Sequence, residues 1–214
     1  MSFIYLHGFA SGPASKKASF FKERFSERGV ELNVPDLNVP TFRKMTLTSQ
    51  LDHVDRILTS NQTNQSVLIG SSMGGLVAAL SACRSNSVRL LVLLAPGFGI
   101  EQRWCDLVDD HRRKQWRETG TIEVFHFASK QNELLDYDFV DDLKNYSSRN
   151  MRVSIPTLIL HGKHDAVVPI EESVAFKESN PHAELIALED DHELVNSLDE
   201  IWRHVDRFLL DHNA

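Results

Sequence analysis

Ser66-Val67-Leu68-Ile69-Gly70-Ser71-Ser72-Met73-Gly74, running on into Leu76-Val77-Ala78-Ala79-Leu80-Ser81-Ala82, reads as an apolar strand, a Gly-x-Ser-x-Gly turn and a helix in immediate succession. A serine in that pattern sits on a sharp strand-to-helix turn in strained backbone, and glycines two residues before and after it keep the neighbouring elements from clashing. The geometry lifts the Ser72 hydroxyl out of the sheet. It also aims the N-terminus of the following helix, with its unpaired amides, at the place where negative charge develops during acyl transfer. A bare match could be an ordinary glycine-rich turn, but the strand and helix that the reading demands flank it. The nucleotide-binding patterns Gly-x-Gly-x-x-Gly and Gly-x-x-x-x-Gly-Lys-Ser/Thr do not occur.

Outward from this segment, apolar runs bounded by turn residues recur at Phe3–Leu6, Val30–Val34, Val67–Ile69, Leu90–Leu94, Thr157–Leu160 and Glu184–Leu188. Amphipathic stretches lie between most of them, near Ser15–Arg28, Thr46–Thr59, Ser72–Arg84, Glu171–Ser179 and Ser197–His212. Near-continuous apolar runs suit parallel strands covered on both faces. The alternation predicts an α/β fold with about six mostly parallel strands flanked by helices. Residues 1–214 fit one such domain.

The segment 97–150 breaks the alternation and is rich in aromatics, among them Phe98, Trp104, Trp116, Phe125, Phe127 and Phe139. It is too long for a bare loop. The pattern predicts a helix near Glu101–Arg117, an extended piece near Thr121–Phe127 and a helical turn or two near Phe139–Tyr146. Leaving from a strand's carboxyl end beside the Ser72 unit, it is a candidate cap insertion, with Trp104, Phe125 and Phe98 as substrate-binding candidates. Packing on the sheet edge is the competing reading.

A serine hydroxyl is a poor nucleophile until a base takes its proton and a carboxylate orients that base. Asp165 follows the run Leu158-Ile159-Leu160-His161-Gly162, and His192 follows Leu185-Ile186-Ala187-Leu188. Ser72, Asp165 and His192 thus stand in the order Ser, acid, His, each after a strand. Of the ten histidines, His192 alone lies between the last strand and the last helix. Asp190 and Asp191 read as loop-shaping residues, and His161 and His164 as turn supports. The loop His7-Gly8-Phe9 ends the first strand, so the amides of Phe9 and Met73 are the oxyanion-hole candidates, with His7 bracing the loop.

The chain carries a formal net charge of −7 and no basic block, which argues against nucleic acid or an anionic membrane as partner. Cys83 and Cys105 show no metal or disulfide spacing and read as reduced thiols. No signal-peptide pattern or membrane span is legible, which predicts a cytoplasmic protein.

On these residues the chain resembles the α/β-hydrolase superfamily over nearly its full length. Within it, the runs Tyr5-Leu6-His7-Gly8-Phe9-Ala10-Ser11-Gly12-Pro13, Ser15-Lys16-Lys17-Ala18, Pro35-Asp36-Leu37-Asn38-Val39-Pro40 and Gly70-Ser71-Ser72-Met73-Gly74-Gly75 are similar to the small YqiA/YcfP-like serine esterases. The resemblance implies hydrolysis of a small-molecule ester or thioester by Ser72, Asp165 and His192 without metal or organic cofactor. It also implies a reduced core whose first strand corresponds to the third of larger relatives. The middle insertion is longer than the smallest members would have, which bears on substrate rather than chemistry. Amide, lactone or carbon-carbon bond cleavage fits the same motifs. A non-catalytic protein binding a ligand or partner through the same pocket is the alternative from another class.

Overall fold

The computed structural model describes residues 1–60 and 65–214, with backbone only for residues 105–107; the Cys105 side chain therefore lies outside the described residues, whereas Cys83 is a free thiol. The elements run β1 (Ser2–Leu6), α1 (Lys16–Glu27), β2 (Leu32–Asn33), α2 (Leu47–Ser60), β3 (Ser66–Ser71), α3 (Met73–Arg84) and β4 (Val88–Leu94). After these come α4 (Ile100–Leu107), α5 (Asp110–Thr119), β5 (Thr121–His126), β6 (Gln131–Asp136) and α6 (Asp138–Leu143). The chain closes with β7 (Thr157–Gly162), α7 (Ile170–Ser179), β8 (Ala183–Leu188) and α8 (Leu198–Asp211).

Six strands form one parallel sheet in the order β2-β1-β3-β4-β7-β8. This is the α/β-hydrolase arrangement in reduced form, and its six strands are the six apolar runs of the sequence. Successive side chains of a strand point to opposite faces, so continuous apolarity means burial on both sides. Ile4, Leu6, Leu68, Leu91, Leu93 and Ile159 join one core with α2 and α3. Phe3, Tyr5, Val67, Ile69, Val92 and Leu160 join another with α1 and α8. Each covering helix presents its apolar stripe at helical spacing, as with Leu47, Leu51, Val54 and Leu58 of α2 and Ile201, Val205, Phe208 and Leu209 of α8.

Between β4 and β7 the expected long helix is two helices. Asp109 breaks it, its side chain accepting from the Arg112 amide at 2.9 Å as the N-cap of α5. Gly120 ends α5 in the left-handed region at φ +78°, and β5 then pairs antiparallel with β6. The strand β6 was not legible: Gln131-Asn132-Glu133-Leu134-Leu135-Asp136 is polar and mostly exposed, and only Leu135 is fully buried. The insertion is not a free-standing layer, because Trp104, Trp116, Leu135, Phe139 and Leu143 belong to the same core as Leu68 and Leu76. Among the described residues no helix is long and apolar enough to cross a membrane.

The helix α3 lies against β1 so closely that a Cβ on Gly74 would collide with the carbonyl oxygens of Leu6 and His7. Those atoms end β1 and begin the loop that follows it, and they cannot yield without moving the strand. Gly29, by contrast, has φ +69° and open space around its Cα. Gly74→Ala is therefore expected to destabilise the protein by at least about 3 kcal/mol. Gly29→Ala should cost only about 1 kcal/mol, from left-handed backbone alone; urea unfolding midpoints of the two variants check the difference.

Candidate active site

Ser72 stands at the junction of β3 and α3 with φ +53° and ψ −120°, a conformation that an L residue adopts only under constraint. The constraint is visible in the backbone. The Ser72 amide donates to Leu94 O at 2.9 Å, and Ser72 O accepts from Gly75 and Gly97 amides, each at 2.8 Å. A Cβ on Gly70 would run into the Gly74 carbonyl, so the two glycines are required by close approach of the turn to itself.

The structure brings the three sequence-identified side chains together at the carboxyl ends of β3, β7 and β8. His192 Nε2 lies 2.9 Å from Ser72 Oγ, and His192 Nδ1 lies 2.7 Å from Asp165 Oδ2. A carboxylate accepts only, so His192 Nδ1 carries a proton and Nε2 is left free to accept from the serine hydroxyl. Asp165 Oδ1 accepts from the amides of Val167 at 2.9 Å and Val168 at 2.8 Å. Burial pushes the Asp165 carboxyl up; the donors from His161, His192 and the Val168 amide outweigh it and hold the group well below the usual carboxylate range. Asp165 is thus a fixed anion behind His192.

The loop carrying His192 is held by charges that do not touch the imidazole. Asp190 accepts from the amides of Asp191, Asn196 and Ser197 at 2.9 to 3.0 Å, and from the Asn196 side-chain amide. Lys17, at the start of α1, donates to Glu193 O at 2.7 Å and so ties α1 to the same loop. Asp190 and Asp191 thus shape the loop, as the sequence suggested, and Lys17 is a contributor that sequence spacing gave no means to find.

The loop after β1 closes the other side. Gly8 packs against Ser72, where a Cβ would come within 3.2 Å of the serine Cβ. His7 is buried, with Nδ1 2.9 Å from Gly8 O and Nε2 accepting the Leu37 amide at 2.9 Å, so it braces this loop from below. Among the described residues the amides of Phe9 and Met73 make no hydrogen bond. No group of three or more described His, Cys, Asp and Glu side chains is arranged to hold a metal.

A cavity of about 1120 Å³ opens beside Ser72 and His192, lined in part by Phe9, Met73, Ile100, Trp104, Val124 and Phe125. Of the three aromatic candidates, Trp104 and Phe125 line this cavity. Phe98 does not: the Pro96-Gly97 turn sends it to α7, where its ring stacks on Phe176 at 4.5 Å and borders a separate cavity of about 390 Å³. Phe127, 67% exposed, joins Phe125 at the rim, their rings meeting edge to face at 5.2 Å.

The model of an uncharacterised protein family, UPF0227, matches residues 2–209. No curated protein matches the chain. Among solved structures, a protein of Agrobacterium vitis S4 provisionally named a hydrolase superposes with a TM-score of 0.84 at 22% identity, over 97% of this chain and 87% of that one. Alpha/beta hydrolase domain-containing protein 10 from mouse gives 0.81 at 19% identity, over 100% and 90% of the two chains. Est1E from Butyrivibrio proteoclasticus, solved with ferulic acid bound, gives 0.80 at 20% identity, over 98% and 88%.

Burial raises the Asp190 pKa, and its donors from Asp191, Ser197 and Asn196 outweigh that and leave it depressed; Asp165 is depressed in the same way by its own donors from His161, His192 and the Val168 amide. A carboxyl depressed in the folded state contributes stability above its unfolded value of about 3.9, and that stability is lost as pH falls toward the folded value. The unfolding midpoint should therefore drop as pH falls through about 4. Asp190→Ala should lower stability near neutrality by about 2 kcal/mol and make the acid slope shallower, as read by urea unfolding at a series of pH values.

Proposed function

The chain belongs to the uncharacterised protein family UPF0227, and we propose that it is a serine hydrolase that cleaves a carboxylic ester or thioester of a small to medium acyl substrate. The observation that carries this reading is His192, hydrogen-bonded on one ring nitrogen to Ser72 Oγ and on the other to Asp165. Ser72 Oγ attacks the acyl carbonyl as His192 Nε2 takes its proton. The carbonyl oxygen, now an anion, is received by the Phe9 and Met73 amides at the positive end of α3. His192 returns the proton to the departing alkoxide or thiolate, and the acyl group remains on Ser72. Water then attacks the acyl-enzyme with His192 again as base, which releases the acid and restores the serine.

In this reading residues 97–150 cap the site, and the cavity is large enough for a medium acyl chain or an aromatic acid. The chemistry requires neither metal nor organic cofactor.

Ser72→Ala is expected to lower ester turnover by up to about six orders of magnitude and to abolish fluorophosphonate labelling, while urea unfolding stays near wild type. Asp165→Asn should lower kcat by up to about four orders, because an amide can hold the wrong imidazole tautomer. Ser71→Ala should be mild. Retained turnover in Ser72→Ala would sink the assignment.

A separate outcome concerns the rim and wall. Phe125→Ala should change the ranking of p-nitrophenyl esters by acyl chain length, since losing contact with two or three methylenes at about 0.8 kcal/mol each shifts relative kcat/KM by roughly tenfold. Trp104→Ala should do the same and also lower stability, because its ring packs edge to face on Phe9 and Phe139. An unchanged profile in both variants would put the acyl pocket elsewhere.

A further inference from the structure

Asp165 is approached by two imidazoles, and the reaction above uses one. His161, on β7, is fully buried, and its Nε2 lies 3.0 Å from Asp165 Oδ2, the oxygen that also faces His192. The same nitrogen is 2.9 Å from Val168 O. Both neighbours only accept, so Nε2 carries a proton, aimed at the Val168 carbonyl with the carboxylate beside it. The other nitrogen, Nδ1, is 2.8 Å from the hydroxyl of Ser173, itself fully buried on α7. A neutral ring satisfies all three contacts: Ser173 donates to Nδ1, and Nε2–H lies between Val168 O and Asp165. Both ring nitrogens of His161 are therefore engaged, Nε2 with the turn that carries the acid and Nδ1 with α7.

Two consequences follow from this placement. The Val168 amide donates to Asp165 Oδ1 while the Val168 carbonyl is held by His161, so the histidine fixes both the carboxylate and the peptide that grips it. The Nε2–H dipole also draws charge on Oδ2 toward itself and away from His192. We propose that His161 is a positioning residue of the hydrolytic centre, holding Asp165 in place and limiting how strongly Asp165 stabilises the protonated form of His192. This rests on the hydrolase reading, and goes beyond it by making Ser173–His161–Asp165–His192–Ser72 one connected line of polar groups.

Without the His161 donor, more of the carboxylate charge bears on His192 Nδ1–H, and the imidazolium is favoured. At a given acid pH less His192 is then free to act as base. Near this site Lys17 on α1 interacts with the charges of Glu193, Asp165, Asp191 and Asp190, and none of these groups is replaced in the variants below.

The experiment follows the rate of fluorophosphonate labelling at Ser72 against pH, a readout that needs no knowledge of the substrate. His161→Leu is expected to move the acid limb of the profile upward, so that on that limb the rate falls by about tenfold relative to its own plateau. His161→Gln, whose side-chain amide can again present an N–H to Val168 O and Asp165, should return the limb toward wild type. Should the leucine variant fail to fold, Ser173→Ala frees Nδ1 and should move the limb in the same direction by less. A role confined to packing lowers the rate equally at all pH, so a limb that stays at its wild-type position in the variants overturns the proposal. Wild-type protein that does not label at all defeats the hydrolase reading itself, whereas labelled wild type with an unmoved limb defeats only the role of His161.

Discussion

The close approach of backbone to backbone around Gly70 and Gly74 is the constraint on which the rest depends. Gly70 abuts the Gly74 carbonyl, and Gly74 abuts the end of β1. Together they let α3 start within one residue of β3 and lie directly on β1. That leaves Ser72 no room for ordinary backbone and drives it to φ +53°. A conformation of this kind costs of order 1–3 kcal/mol and persists only where surrounding bonds over-determine it. Here they are the Ser72 amide on Leu94 and the Gly75 and Gly97 amides on Ser72 O, which draw on three separate segments. The strain at one residue is thus carried by the central strands of the sheet, the part of the molecule least able to relax.

The same economy recurs between β7 and β8. A Cβ on Gly162 would collide with the carbonyl oxygens of Asp190 and Asp191, so the loop bearing Asp165 and the loop bearing His192 are stacked backbone on backbone. Adjacent parallel strands bring their carboxyl ends side by side, and this contact removes the remaining slack. The His192 ring then needs only its own bonds to Asp165 and Ser72 to be placed. The buried Asp190 carboxylate serves that stacking, as a capping group for the chain entering α8 at Asn196 and Ser197. Two carboxylates on adjacent loops, Asp165 and Asp190, therefore differ in use because one faces imidazoles and the other faces amides.

What was legible in the sequence follows the same physics. The inner strands β1, β3, β4 and β7 were readable because burial on both faces demands continuous apolarity, and Phe3–Leu6 or Val67–Ile69 can be little else, whereas the edge strands β2 and β8 are partly exposed. Ser72, Asp165 and His192 were readable because each follows such a strand in a fixed order. β6 was not, because a hairpin strand exposed along most of its length has no hydrophobic pattern to show. Nor was the break at Asp109, where a single capping side chain divides one amphipathic stretch into two helices. Phe98 went to a different cavity because its direction is set by the turn at Pro96 and Gly97, which follow from the bonding of Ser72 O to Gly97. Lys17 meets Glu193 across a long sequence separation and leaves no mark in spacing; His161, four residues before Asp165, reads as a turn support, and its approach to the carboxylate appears only in three dimensions.

In the proposed reading the insertion between β4 and β7 joins specificity to stability. Its inner residues, Trp104 and Phe139, pack on Phe9, with ring centroids 4.9 and 5.5 Å away. Phe9 supplies one of the two proposed oxyanion amides, so the wall of the cavity and the loop that would receive the oxyanion share one aromatic cluster. A change of volume at Trp104 cannot then reshape the cavity without pressing on that loop. Phe125 and Phe127 stand apart from this coupling: they lie at the exposed rim on β5 and just beyond it, touching each other rather than the core. On that geometry, substitutions at the rim can alter which substrates are held while leaving the chemistry alone, whereas substitutions at the inner wall alter both at once.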